Sequence, residues 1–388
     1  MQLPSEETSR EECASNPDES IANPNTTLWQ AFRISWKVVG ACGLLTSAIL
    51  LYGYDNVIVG TVTSIPAFQE HYGTLDDDSY ILPALWLGIW NASGSIGTMI
   101  GAIMGGFIQD QYGRRLSLAL GSALSAIAVA ICYVSDLPAG MDSRRGVFLA
   151  CKLLQGIAIG GVMSTTQTYM SEVLPPRLRG PVLAFFPIFT LFGQLVGAVV
   201  VYVSLDKPGS MSYRICFASQ WVFSALPLIL ATFLPESPSW LTRQSQQEKA
   251  FKAQRRLEDS DAAASAFRLL LLKERQLGTS SYLDCFKQTN LRRTWIVAFA
   301  NILPQLWGLT LLANASYFLQ VIGMKSGISI IFLIVGIALG LVSNVISMKA
   351  LDLFGRRYLS LMGMGISTVL WLAMGIAGCF HNTEVIMW

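Results

Sequence analysis

The chain of 388 residues is 52% hydrophobic and only 13% charged, where ordinary soluble domains carry about 25% charged residues. That imbalance excludes both a disordered chain and an ordinary soluble domain. The formal net charge of +2 supplies no field for nucleic acid.

At the N-terminus, residues 1–27 hold six acidic residues against Arg10 alone. A secretory signal needs a basic start and an apolar core, so 1–37 reads as a disordered cytosolic tail. Nine apolar runs follow, near 38–61, 81–107, 116–134, 147–170, 182–205, 215–234, 294–320, 328–349 and 359–380. About 20 apolar residues cross the ~30 Å hydrocarbon layer as a helix. A backbone in lipid must satisfy its own hydrogen bonds, which makes these runs helices and the fold class an all-α membrane protein. In the second run Gly94, Gly97, Gly101 and Gly105 recur every three or four residues, on one face suited to close helix packing. The segment 235–293 is polar, with eleven Lys/Arg against seven Asp/Glu. Within it, 248–257 and 262–276 have the spacing of short amphipathic helices. The expected plan is a six-helix bundle over 38–234, a cytosolic linker over 235–293 and a partial second bundle of three helices over 294–388.

Basic residues orient the spans. With the N-terminus inside, the short inner loops carry Arg114, Arg115, Arg177, Arg179, Lys349, Arg356 and Arg357, and the outer loops carry Arg144, Arg145, Lys207, Arg214 and Lys325. The basic 235–293 segment is then inside as well, which decides the orientation.

The pattern Asp-x-x-Gly-Arg-Arg occurs twice, at Asp110–Arg115 and Asp352–Arg357, each time after the second span of its half. Glycine permits a tight reversal at the membrane surface. The aspartate suits helix N-terminal amides, and the arginine pair suits carboxylates or lipid phosphates. Two copies at matching places indicate duplicated halves, as in transporters built from parallel repeats.

With these two loops, the run Tyr169-Met-Ser-Glu172-Val-Leu-Pro175-Pro-Arg177-Leu-Arg179-Gly180 and the run Pro235-Glu236-Ser237-Pro238-Ser-Trp240-Leu241, the chain resembles the sugar porter branch of the major facilitator superfamily. Thr27-Leu28-Trp29-Gln30-Ala31, Gly53-Tyr54-Asp55 and Ile65-Pro66-Ala67-Phe68-Gln69 are similar to fungal α-glucoside and hexose permeases. The resemblance covers about 28–380. It implies the major facilitator fold, two six-helix bundles around a central sugar site with alternating access, of which this chain holds about nine of twelve helices. The chain departs from the family pattern in several places. It ends after span nine. The paired glutamines of span seven read Pro304-Gln305, the asparagine after them is Thr310, the span-four arginine is Lys152, and the α-glucoside glutamate is Tyr52.

Charges deep in a span are functional candidates by default, and two stand there, Asp55 and Lys152. Counted from the predicted outer ends of spans one and four, both lie about 8–9 Å deep. The resemblance implies that Asp55 carries the coupled proton and Lys152 is its partner; a static ion pair is the alternative. Sugar hydroxyls need amides and hydroxyls, for which the candidates are Gln194, Gln305, Thr310, Asn314 and Gln167. Trp86, Trp90 and Trp307 are candidate stacking faces. Asp110, Arg114, Arg115, Glu172, Arg179 and Glu236 match the family's inner ion-pair network, which locks the outward-open state, with Asp352, Arg356 and Arg357 as second-half counterparts. The sequons at Asn91 and Asn314 lie in spans, and the one at Asn25 is on the inner side, so none is expected to be glycosylated. The seven cysteines form no CxxC pair, and His71 and His381 lie near no second ligand type, so no metal or other cofactor is expected. No nucleophile–base pair or phosphate loop speaks for an enzyme.

The function expected is a multi-pass secondary transporter, most simply of the plasma membrane, moving a hexose or α-glucoside by proton symport. Its partners are the sugar, the proton and the bilayer. An exporter of a fungal metabolite, or a truncated non-transporting or regulatory chain, are the alternatives.

Overall fold

The computed structural model describes residues 32–33, 35–76, 79–257, 264, 267–268, 270–271, 282–306, 314–321 and 324–378. Seven described helices or helix runs are long and apolar enough to cross a bilayer. These are α1 (Trp36–Val62), α4 (Arg114–Tyr133), α5 (Met141–Val173), the Leu178–Ser204 run, α8 (Met211–Phe233) and most of α13 (Ser326–Phe354) and α14 (Arg356–Gly378). The Leu178–Ser204 run joins α6 (Pro176–Ala184) to α7 (Phe186–Ser204) at Phe185, where Pro187 withdraws an amide donor.

Two of the nine expected spans differ. The second, α3 (Ala84–Tyr112), is a 29-residue helix whose glycines, Asn91, Ser93, Ser95 and Thr98 lower its apolarity. It is held by packing against α5, the most extensive helix contact among the described residues. The seventh is described as two helices, α11 (Gln288–Leu306) and α12 (Ala315–Val321), and 307–313 lie outside the described residues. The helix expected over 248–257 is α10 (Gln247–Leu257), whose buried Ala250 and Ala253 pack with Leu241 of the short α9 (Pro238–Arg243), while its buried Leu257 joins the bundle cluster of Val38, Tyr169 and Leu174. Most of 262–276 lies outside the described residues. One element went unforeseen. After α2 (Pro66–Tyr72), β1 (Thr74–Asp76) pairs antiparallel with β2 (Ser79–Ile81).

Helices α1, α3, α4, α5, α7 and α8 form one bundle. The glycine face of α3 makes its tightest contact. A Cβ on Gly101 would collide with the Ile157 carbonyl, and one on Gly105 would lie 2.6 Å from the Gly161 Cα. Gly94 needs no such freedom, since a Cβ there meets nothing within 4 Å. Helix α13 packs on α7, and α12 packs on α1 and α13. Outward-facing apolar side chains such as Ile103 (70% exposed) and Phe233 (77%) suit a lipid surround.

Candidate functional site

Asp55 on α1 and Lys152 on α5 meet inside this bundle. Lys152 Nζ stands 3.3 Å from Asp55 Oδ1, with 3% of the lysine side chain and 17% of the aspartate exposed. Helix α5 begins at Met141, two turns before the expected start of its span, so Lys152 lies eleven residues along it. The pair nevertheless forms, since α1 and α5 pack together. Gln220 on α8 donates Nε2–H to the same Asp55 Oδ1 at 2.9 Å. Beside it Gln155 Nε2 donates to Ser125 Oγ (3.1 Å), which contacts Ser224 Oγ (2.8 Å). Cys132, Cys151, Lys152, Gln155 and Gln220 line a gap with no room for a water molecule.

Toward one end of the bundle, the Asp136 end, an aromatic cluster closes over the pair. Lys152 Nζ lies 5.9 Å from the Phe148 ring centre, a cation–π distance. Phe148 packs edge-on to Trp90 (4.9 Å), and Phe68 stacks on Tyr72 (4.3 Å). Trp90 is therefore a core residue rather than an open stacking face, fully buried with Nε1 donating to the Arg145 carbonyl. Trp86 lies half-buried beside it, and Trp307 lies outside the described residues.

The sugar-binding candidates are spread over four elements. Gln194 is half-buried on α7, Gln167 is exposed on α5, and Asn314 is half-buried in the turn before α12. Gln305 belongs to α11 with its side chain outside the description, and Thr310 lies outside the described residues. Asn91, the first sequon, donates Nδ2–H to the Leu87 carbonyl within α3.

At the opposite end, the Gly113 end, charged groups interlock. Arg114 is 2% exposed and grips Glu172 through two bonds, Nε to Oε2 (3.0 Å) and Nη2 to Oε1 (2.8 Å), and Nη2 also pairs with Asp110 (3.3 Å). Glu236 bonds backbone amides instead of a guanidinium. Its Oε1 accepts from Arg114 N (2.9 Å) and Ser237 N (3.0 Å), and its Oε2 accepts from Arg115 N (3.2 Å). It thus occupies the anion seat at the N-terminus of α4, the role the sequence reading gave to Asp110. Asp110, one turn back on α3, reaches the guanidinium instead. Arg115 departs from the expected ion pair too. Its guanidinium takes the Ala231 and Thr232 carbonyls at 2.6 and 2.8 Å, closing the C-terminus of α8. Arg179 bonds the Leu174 carbonyl at 3.4 Å rather than a network carboxylate. Arg243, which the sequence reading did not nominate, approaches Glu172 at 3.6 Å.

The two Asp-x-x-Gly-Arg-Arg loops share one backbone geometry. Gly113 (φ 100°, ψ 162°) bonds the Gln109 carbonyl, and Gly355 (φ 76°, ψ 157°) bonds the Leu351 carbonyl, both at 3.1 Å. Positive φ explains the glycine at each. At Gly113 a Cβ would also approach Glu236 Oε2 to 2.5 Å. Arg356 and Arg357 are exposed, and the side chain of Asp352 lies outside the description.

A third cluster was not foreseen, because its members stand far apart in the chain and Arg214 reads as a loop charge. Arg214 in α8 takes both oxygens of Asp136 (2.7–3.2 Å), Tyr213 OH donates to Asp136 Oδ2 (2.8 Å), and His71 Nδ1 meets that hydroxyl (2.7 Å). Arg145, also read as a loop residue, is buried in the first turns of α5 and donates to the Tyr72 carbonyl. Burial pushes the Asp136 carboxyl up, but the bonds from Arg214 and Tyr213 more than offset this and hold it below the ordinary carboxylate value. Among the described residues no group of three His, Cys, Asp or Glu could hold a metal ion.

Comparison with known proteins places this architecture. A family model described as "Sugar (and other) transporter" matches residues 41–387. The chain is similar to the MFS transporter fmqE of Aspergillus fumigatus, 28% identical over 94% of this chain and 70% of that protein. It is also similar to the general alpha-glucoside permease of Saccharomyces cerevisiae, 26% identical over 86% of this chain and 56% of that one. The chain thus spans little more than half the length of the yeast permease. Among solved structures it resembles the xylose transporter XylE from E. coli in a partially occluded inward-open conformation. The TM-score is 0.68 at 24% identity, covering 83% of this chain and 75% of that one, a likeness of fold. With the helical bundle and the membrane spans, the match over 41–387 identifies a multi-pass membrane protein of the major facilitator fold, and the chain belongs to the sugar (and other) transporter family.

Proposed function

We propose that the chain is a secondary transporter that moves a sugar, a hexose or an α-glucoside, by alternating access with a proton, most simply across the plasma membrane. One observation carries the reading. A carboxylate and an ammonium, Asp55 and Lys152, are paired deep inside a spanning bundle, where isolated charges are costly and mark proton or substrate paths. The names of relatives add support, since one is a general alpha-glucoside permease and one structural neighbour is a proton:xylose symporter. In this mechanism a proton on Asp55 releases Lys152 and favours one gate state, and its loss restores the pair and favours the other. Gln194, Gln305, Thr310, Asn314 and Gln167 are the proposed sugar contacts. The Arg114–Glu172–Glu236 cluster is the proposed lock of the Gly113 end, with Asp352, Arg356 and Arg357 its second-half counterpart. The domain plan goes with it, 38–234 being the first bundle, 235–293 the cytosolic linker after the 1–37 tail, and 294–388 part of the second bundle.

The test is uptake of labelled glucose, maltose and xylose in a transport-deficient yeast, with arrival of the chain at the surface verified. Acid outside should accelerate uptake several-fold, and Asp55→Asn should abolish that acceleration. Uptake that is flat with pH and unchanged in Asp55→Asn would remove proton coupling. No uptake from a correctly placed chain would remove sugar transport for this panel.

A further inference from the structure

Asp55 is mostly buried, with 17% of its side chain exposed, and the gap that Lys152 and Gln220 line next to it has no room for water. Two donors converge on one of its oxygens, Lys152 Nζ and Gln220 Nε2. They differ in one respect. An ammonium only donates, whereas a carboxamide both donates and accepts. A protonated Asp55 gains an O–H that needs an acceptor, and in a mostly buried carboxyl an unmet donor is costly. Lys152 cannot accept it. Gln220 can, after its amide turns about the terminal side-chain bond, a broad and roughly two-fold torsion.

We propose that Gln220 is a positioning residue that follows the proton: it donates Nε2–H to ionised Asp55 and accepts the O–H of protonated Asp55 on its Oε1. The inference rests on the reading of Asp55 as proton carrier. The proton arrives from water and returns to water, and only the Asp55 O–H bond forms and breaks.

The surroundings leave Gln220 this freedom. It is 3% exposed on α8, and its polar neighbours are engaged with each other, Gln155 with Ser125 and Ser125 with Ser224. The other titratable groups near the pair are few. Lys152 and the Cys151 thiol come from α5 and Cys132 from α4, and Tyr54 precedes Asp55 on α1, its hydroxyl bonded to Ser219 and the Cys216 carbonyl. From α8 come Cys216, bonded to the Ser212 carbonyl, and Tyr213 and Arg214, both bound to Asp136. Helices α7 and α12, which also pack on α1, contain no Asp, Glu, Lys, Arg or His; their tyrosines are Tyr202, exposed on α7, and Tyr317, whose hydroxyl accepts from Leu82 N.

The experiment uses the purified full chain in lipid nanodiscs and infrared difference spectra recorded over roughly pH 4 to 9, the range in which carboxyls and histidines titrate. The Asp55 carboxylic C=O band is assigned by its loss in Asp55→Asn. A bond to a charged acceptor is worth more than one to a neutral group, so Gln220→Met should move the midpoint of that band about one pH unit toward alkaline. It should also raise the band's frequency, because the O–H loses its acceptor. Gln220→Asn keeps the amide but draws it back by one methylene, so an intermediate displacement is expected, and it carries the test if Gln220→Met is not monodisperse. An unmoved midpoint and frequency in a folded Gln220→Met or Gln220→Asn overturns the proposal. An Asp55 band that never appears overturns it together with the proton-carrier reading. Displaced midpoints in a chain without sugar uptake would leave the Gln220 proposal standing and remove only the symport.

Discussion

Asp136 is held below its ordinary carboxylate value by Arg214 and Tyr213, against the opposing effect of burial. A carboxyl depressed in the folded state contributes stability that is fully present above its unfolded value, about 3.9. That stability is lost as the pH falls through the lower, folded value. Asp136→Asn should therefore melt at a lower temperature than the parent at pH 7, with the gap closing as the pH is taken below about 4. Melting in detergent followed by intrinsic fluorescence measures this, and a gap constant with pH would refute it. The Asp55–Lys152 pair was legible in the sequence, since a charge within an apolar run stands out. Gln220 was not, because a neutral amide in an apolar run is ordinary and only the approach of α8 to α1 singles it out.

Among the helices, the contact of α3 with α5 tests which glycines matter. Gly101 and Gly94 share a face by spacing, yet of the two only at Gly101 would a side chain meet backbone, that of Ile157. Gly101→Val drives a branched side chain into that carbonyl, and overpacking of this kind costs about 1–3 kcal/mol or more. Gly94→Ala enters open space and trades helix entropy favourably, by up to about 1 kcal/mol. Gly101→Val should cut the yield of folded, monodisperse protein sharply, and Gly94→Ala should leave it equal or better. Size-exclusion profiles distinguish them, and equal losses would refute the packing argument. The spacing of the glycines showed a close-packing face, but not where along it the partner helix comes nearest.

For the molecule as a whole, the described helices after residue 314 attach to the first bundle by apolar packing of α13 on α7 and, at the Asp136 end, by polar ties from α12. Gln320 Nε2 donates to the Ser64 carbonyl (2.7 Å), Gln69 Nε2 donates to Gln320 Oε1 (3.1 Å), and Ser316 Oγ donates to the Gly60 carbonyl (3.2 Å). Any opening of this end that parts α12 from α1 must break them. Gln320→Ala removes two of the ties, each worth about 1 kcal/mol net. Amide exchange over 315–321 should then quicken roughly 5- to 30-fold while α5 keeps its protection. Unchanged exchange in α12 would show that these bonds do not hold it.

The sequence by itself determined the membrane class, most of the spans, the duplicated loops and the two deep charges. Each is a local property: an apolar run long enough for lipid, a glycine where φ must be positive, a charge where none is cheap. Tertiary structure alone decided which side chains meet. It gave Glu236 to the amides of α4, Arg115 to the carbonyls of α8, Arg214 to Asp136 and Gln220 to Asp55. These partners stand 78 or more residues apart in the chain. Such contacts depend on the relative rotation and depth of packed helices, and one-dimensional periodicity records neither.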